Sequence, residues 1–267
     1  MHPVAFRNPF ERTSQPLHTV AIIPARYHSS RFPGKPLADL AGRPMVEHVY
    51  RRAAAARGVD AVVIATDDGR IAEAVQRFGG VVRLTSPAHP SGLDRVAEVA
   101  SDLACDVVVN VQGDEPLIEP AMISQAVDAL HGDETVEMST LRRRLEHPAE
   151  YVSPHVVKVV TDVEGNAMYF SRAPIPFRRE DDTAPGSGGR QAIYKHIGLY
   201  AYKRSFLLKI ASLPRTALEI SESLEQLRAL EHGFRIRAVV TTYDSIGVDT
   251  PEDLERVRRH LAVGTSA

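Results

Sequence analysis

The chain has 267 residues, of which 43% are apolar and 25% charged, and its formal net charge is −2. That length accommodates one large domain or two small ones with a substantial core, and so small a charge supplies no bulk attraction to nucleic acid or membrane. No apolar run approaches the roughly 20 residues that span a bilayer, and the single cysteine, Cys105, excludes a disulfide framework or a cysteine-based zinc site.

Residues 1–18 mix Arg7, Glu11, Arg12 and His18 with three prolines and have no apolar segment. They read as a flexible leader rather than a secretory signal, which points to the cytoplasm. A buried strand is expected over Thr19–Ile23. A helix follows over Arg43–Arg57, with Pro44 suited to its first turn and Gly58 to its C-cap. Ala61–Ala65 is a continuous apolar strand, Asp68–Phe78 a helix, Val81–Leu84 a strand and Leu93–Leu103 a helix. Asp106–Val111 is another buried strand and Glu119–Leu130 a helix. Four β/α units in succession predict an α/β fold with a doubly wound, largely parallel sheet covered on both faces.

The rhythm changes after Glu137. Met138–Arg142, Val156–Thr161, Ala167–Ser171 and Ile197–Tyr202 have strand character, and 178–189 reads as a mobile loop. Phe206–Ala211 and Ser221–Glu231 are expected helices, Arg235–Val240 a strand and Pro251–Leu261 a helix. Residues 19–262 thus form one domain, and 263–267 form a tail. Within the domain, 138–202 are expected as an inserted antiparallel region that covers a substrate, makes a dimer contact or does both.

The run Ile22–Leu37 holds Arg26, Arg31 and Lys35 around Ser29, Ser30 and Gly34. Small residues let backbone N–H groups approach a polyanion, and the cations neutralise it. The run leaves the first strand at its carboxyl end, where open parallel sheets bind ligands. It matches neither the P-loop nor the dinucleotide glycine fingerprint, which disfavours an NAD oxidoreductase; the plain alternative is a surface turn. Asp114 follows a buried strand that ends at Gln112 and suits a hard cation such as Mg²⁺. Asp249 precedes a helix, as a cap or as a second carboxylate. Thr66-Asp67 and Ser91-Gly92 open helices, as caps or as nucleotide contacts. His196 and Tyr200 share one face of a strand by alternation. Glu225 and Gln226 fall where a solvated helix face is expected.

Six motifs then carry a resemblance. They are Ile-Pro-Ala-Arg-x-x-Ser-x-Arg-x-Pro-Gly-Lys-Pro-Leu at 23–37, Val-Asn-Val-Gln-Gly-Asp-Glu-Pro at 109–116 and Phe-Ser-Arg-Ala-Pro-Ile-Pro at 170–176. The others are His-Ile-Gly-Leu-Tyr at 196–200, Leu-Glu-Gln-Leu-Arg at 224–228 and Gly-Val-Asp-Thr-Pro-Glu-Asp-Leu at 247–254. Over about residues 19–262 the chain resembles the 3-deoxy-manno-octulosonate (Kdo) cytidylyltransferases of lipopolysaccharide assembly. The resemblance implies a Rossmann-like, glycosyltransferase-A-type fold, a homodimer, Mg²⁺, and transfer of CMP from CTP to Kdo with release of pyrophosphate. By position it implies that Ala25, Arg26, Ser30, Arg31, Lys35, Thr66, Asp67, Ser91 and Gly92 meet the nucleotide. Asp114 and Asp249 match metal carboxylates, with Arg26 and Lys35 beside them in catalysis. Gln112, Arg172, His196, Tyr200, Glu225 and Gln226 match the sugar pocket. Leu93 departs from the family's usual threonine, and Phe177 from its common tryptophan. An 8-amino analogue of Kdo or a sialic acid is the nearest alternative substrate. A non-catalytic nucleotide-sugar sensor is a further reading, and Lys35, Asp114 and Asp249 together argue against it.

Overall fold

The first strand sets the architecture because both of its faces are apolar. β1 (Leu17–Ala25) turns Val20 and Ile22 toward one core and Ala21 and Ile23 toward the other, all fully buried. Such a strand is stable only in the middle of a covered sheet. In the computed structural model, which describes residues 17–28, 32–131, 133, 135–177 and 192–264, β1 lies between two parallel neighbours, β4 (Ala61–Thr66) and β6 (Cys105–Asn110). β5 (Val82–Leu84) extends the sheet beyond β4. Residues 1–16 of the expected leader, Ser30, Arg31, the 178–189 loop and 265–267 of the tail lie outside the described residues.

The helices follow from their caps and apolar stripes. α1 (Met45–Ala54) buries Met45, Val46, Val49, Tyr50 and Ala53 at helical spacing. It starts later than expected, because Pro44 has extended geometry and lies in a two-residue strand, β3 (Arg43–Pro44), paired with β2 (Asp39–Leu40). α2 (Gly69–Arg77) is capped by Asp68 and α3 (Gly92–Ser101) by Ser91. α4 (Pro120–His131) packs against the sheet.

The second half completes the same sheet. β7 (Met138–Arg144), β10 (Tyr194–Lys203) and β11 (Ile236–Thr241) all belong to it, in the order β11-β7-β10-β6-β1-β4-β5, with β10 antiparallel to β6 and β7. β11 runs parallel to β7 at the edge. Of the expected antiparallel region, only the hairpin of β8 (Lys158–Thr161) and β9 (Ala167–Ser171) leaves this path, held by a short β8–β10 pairing. A five-residue helix, α5 (Pro148–Val152), precedes it.

α6 (Arg204–Ser212) follows β10. The helix expected over Ser221–Glu231 is instead two: α7 (Ala217–Glu222) and α8 (Leu227–Glu231), broken where Ser223 is left-handed at φ 53°. Of the expected solvated face, Gln226 and Arg228 are buried. Arg228 donates to both oxygens of Glu219, at 2.8 and 2.6 Å, and this pair folds α8 back on α7. α9 (Pro251–Gly264) docks through Leu254 and Val257 onto Leu40, Met45 and Leu117, bringing the 248–250 segment to the carboxyl edge of the sheet. No described helix is long and apolar enough to cross a membrane.

Candidate active site

Three chain segments meet where β1 and β6 end. Gly113 makes the meeting possible: a β-carbon there would stand 2.6 Å from the Pro24 carbonyl oxygen, so the two strand-end loops pack backbone to backbone. Asp114 follows, and its carbonyl accepts from the Val248 N–H at 2.8 Å, which ties the 248–250 segment to the same edge. Lys35 enters from the β1 loop, after Gly34 turns the chain at φ 73° and donates to Tyr27 O. The Lys35 ammonium donates to Asp114 Oδ2 at 2.8 Å, to Val248 O at 2.7 Å and to Asp249 Oδ1 at 3.5 Å.

The cap of α9 is not Asp249. Thr250 Oγ1 accepts from Asp253 N, and the Asp253 carboxylate takes the N–H groups of Asp249 and Thr250. Burial raises the Asp253 pKa, but those N–H groups outweigh it and hold the carboxyl low. The Asp249 carboxylate is therefore turned to Lys35 beside Asp114. Two carboxylates converging on one cation are the donor set with which Mg²⁺ binds when phosphate oxygens supply further ligands. Among the described residues there is no cluster of three or more metal-ligating side chains. Asp114 and Asp249 thus fit a shared metal–phosphate site and not a closed protein cage.

The other described residues matched to the nucleotide lie at the ends of β1 and β4 and at the start of α3. Arg26 Nη2 donates to His89 O at 3.1 Å, joining the β1 loop to the loop before α3. Ala25 is buried at the end of β1. Thr66 is buried, and its hydroxyl accepts from Asp68 N. Asp68 caps α2, so Asp67 is not that helix's cap; it pairs instead at 3.0 Å with the wholly buried Arg95. Arg95 also donates to the Thr85 hydroxyl. Ser91 caps α3, and its hydroxyl donates to Asp94 Oδ2 at 2.7 Å.

Beside this edge lies a cavity of about 570 Å³. All six residues matched to a sugar pocket line it, and so does Gly92. β10 supplies His196 and Tyr200. Between Ile197 and Tyr200 the strand advances three residues while β7 advances one, from Leu141 to Thr140. The surplus of two preserves the pleat, so both rings stay on one face, 5.4 Å apart. Thr140 Oγ1 donates to Leu199 O at 2.8 Å and lies 2.8 Å from His196 Nε2, so the ring nitrogen is the donor to the hydroxyl. Burial lowers the His196 pKa to about 3 and raises that of Tyr200, so both rings stay neutral. Tyr200 donates to Gln226 Oε1 at 2.9 Å.

The sequence did not single out Asn110, Glu115 and Lys195, which also line the cavity. Asn110 and Glu115 lie inside the 109–116 motif that holds Gln112, which was their signal; Lys195 has no local signal. Burial, and then the Asp114 charge, push Glu115 up to about 7. Asn110 Oδ1, Glu115 Oε2 and Gln226 Nε2 are buried without a hydrogen-bond partner among the described residues. Each such atom costs about 1–3 kcal/mol unless something polar meets it. The cavity is built for a polar ligand.

A model of the cytidylyltransferase family matches residues 20–236. The chain is 57% identical over 249 residues to a 3-deoxy-manno-octulosonate cytidylyltransferase of Geobacter sulfurreducens, covering 92% of this chain and all of that one. With the enzyme of that name from Solibacter usitatus it shares 54% over 244 residues, 91% of this chain and 94% of the other. Among solved structures it is similar to CMP:2-keto-3-deoxy-manno-octonic acid synthetase complexed with CTP. The TM-score is 0.86 and the identity 42%, over 92% of this chain and 99% of that one. A 4-diphosphocytidyl-2C-methyl-D-erythritol synthase from Anaerococcus prevotii, 15% identical with a TM-score of 0.59, shares the fold alone.

Proposed function

Because the chain belongs to the 3-deoxy-manno-octulosonate cytidylyltransferase family, we propose that it transfers CMP from CTP to Kdo, giving CMP-Kdo and pyrophosphate for lipopolysaccharide assembly. The anomeric hydroxyl of the sugar forms a bond to the α-phosphorus, the α–β phosphoanhydride bond breaks, and the hydroxyl proton leaves. The observation that carries this reading is the junction of two unlike sites. A cationic strand-end loop with two convergent carboxylates adjoins a polar cavity of sugar size.

Both substrates are anions, so the protein must offset their repulsion. Lys35 and Arg26 meet the triphosphate, and Lys35 stabilises the charge that develops on the departing pyrophosphate. Arg31, outside the described residues, is assigned to the same task by its place in the motif. Asp114 and Asp249 would hold Mg²⁺. When bound, Mg²⁺ polarises the α-phosphate and lowers the pKa of the attacking hydroxyl. Arg172 receives the sugar carboxylate, for which a planar guanidinium is better shaped than an ammonium. Neutral His196 and Tyr200, together with Gln112, Glu225 and Gln226, orient the sugar hydroxyls.

The proposal also makes the enzyme a cytoplasmic homodimer. Support for the second copy comes from the β8–β9 hairpin, which exposes Val163 and Met168. Pyrophosphate release tests the function. It should require CTP, Kdo and Mg²⁺ together, and Kdo should exceed its 8-amino analogue and sialic acid in kcat/KM. Release with no dependence on the sugar, or preference for another sugar, contradicts the assignment.

A further inference from the structure

Lys158 is a wholly buried lysine on β8, and the reaction above gives it no part. A buried ammonium is costly unless its donors are matched. Its three N–H groups meet three backbone carbonyls: Ser153 O at 2.9 Å, Val156 O at 2.6 Å and Arg172 O at 2.6 Å. The first two belong to the segment 153–157, which curls before β8 and puts His155, Val156 and Val157 into the cavity wall. The third belongs to Arg172 itself.

The rest of Arg172 is held by neighbours of the same cluster. Its Nη1 donates to Pro154 O at 3.0 Å, inside the loop that Lys158 gathers. Its Nε donates to Glu222 O at 2.8 Å, and its backbone N–H donates to Glu222 Oε2 at 2.9 Å. Glu222 also accepts from Ser171 Oγ at 2.6 Å. Lys158 and Glu222 therefore hold Arg172 from its two sides. Lys158 additionally sets the loop whose Pro154 carbonyl fixes the guanidinium. An arginine has many rotamers, and one held in advance loses less freedom when it takes a carboxylate.

We propose that Lys158 is a positioning residue for the acidic sugar: by gathering the carbonyls of Ser153, Val156 and Arg172, it fixes the Arg172 guanidinium, with Glu222 closing the clamp. The inference rests on the reading that Arg172 meets the sugar carboxylate. Neither residue lies at the carboxylate pair or the phosphate loop, so the clamp acts on the sugar and not on the nucleotide.

Steady-state kinetics with Kdo and CTP varied separately test this, on Lys158→Met, Glu222→Gln, Arg172→Ala and the Lys158→Met/Arg172→Ala double variant, each checked for cooperative melting. Lys158→Met should raise KM for Kdo by about tenfold or more and leave KM for CTP within about threefold. The double variant should be within about threefold of Arg172→Ala alone, because the lysine acts through the arginine. A merely structural lysine would instead weaken both substrates or add its full effect to that of Arg172→Ala, and either result overturns the proposal. If Arg172→Ala leaves KM for Kdo unchanged, the reading of Arg172 fails and the clamp with it. If Arg172→Ala raises it and Lys158→Met does not, the clamp alone fails. Should Lys158→Met not melt cooperatively, Glu222→Gln carries the same expectation, and an unchanged KM for Kdo in that variant overturns the clamp.

Discussion

Lys35 shares its one positive charge between two carboxylates that come from distant parts of the chain, and this makes the site sensitive to single-atom changes. Asp114→Asn and Asp249→Asn each leave the shape of the site but remove one charge. Each should lower turnover by about a hundredfold or more. Each should change stability by no more than about 1–2 kcal/mol, since both side chains are partly exposed. Pyrophosphate release at limiting Mg²⁺, with urea unfolding alongside, checks both. Near-normal turnover would remove that residue from the metal site. His196 makes a different prediction. Burial holds its folded pKa near 3, below the ordinary 6.5, so between those values the unfolded chain binds more protons. Stability from this residue is therefore complete above about pH 6.5 and is lost as pH falls toward 3. The urea ΔG of the wild type should fall more from pH 7 to pH 4.5 than that of His196→Gln; equal falls would mean that His196 is charged in the folded protein. Arg26, Lys35 and Asp114 are legible in the sequence because each lies in a loop that leaves a buried strand. Asp249 is not, since a cap and a ligand look alike before a helix, and only the observed Thr250–Asp253 cap shows that Asp249 does not cap α9. Lys158 and Glu222 were missed because their partners lie far away in sequence and nothing near them is patterned.

The elements most plainly written in the sequence are those with two independent signals. α2 and α3 have an apolar stripe and a capping side chain, and β1, β4 and β6 have apolar runs bounded by turns. The segment 217–231 defeats such reading. Its helical period is real, but Ser223 breaks it, and the buried Glu219–Arg228 pair makes the polar positions inward ones. The bulge in β10 is likewise invisible locally, because it is fixed by Thr140 on a neighbouring strand. At this scale Gly113 is the critical joint between β1 and β6. Gly113→Ala places a carbon 2.6 Å from the Pro24 oxygen, so the loops must separate. It should cost about 1–3 kcal/mol in urea unfolding and lower turnover by shifting Asp114 away from Lys35. An unchanged stability would show that the loops can part without cost.

For the molecule as a whole, strand order decides function. Because β1 has β4 on one side and β6 on the other, the carboxyl edge opens a crevice between their loops. β10, antiparallel beside β6, lines the neighbouring cavity with His196 and Tyr200. The α/β class was legible because four β/α units precede residue 137. The return of β7 and β10 into the same sheet was not, because short alternating strands do not reveal which edge they join. In the proposed function the crevice and the cavity become two adjoining sites of different chemistry, one cationic for phosphates and one polar for a sugar. The most direct measurement of that claim is calorimetric titration of CTP and CMP into His196→Ala, Lys35→Ala and the double variant, with KM for Kdo measured alongside. His196→Ala should raise KM for Kdo yet keep CTP affinity within about threefold. Lys35→Ala should weaken CTP but not CMP, and the two changes should add in the double variant. A loss of CTP affinity beyond about tenfold in His196→Ala, or equal losses of CTP and CMP in Lys35→Ala, would contradict the division into a phosphate site and a sugar site.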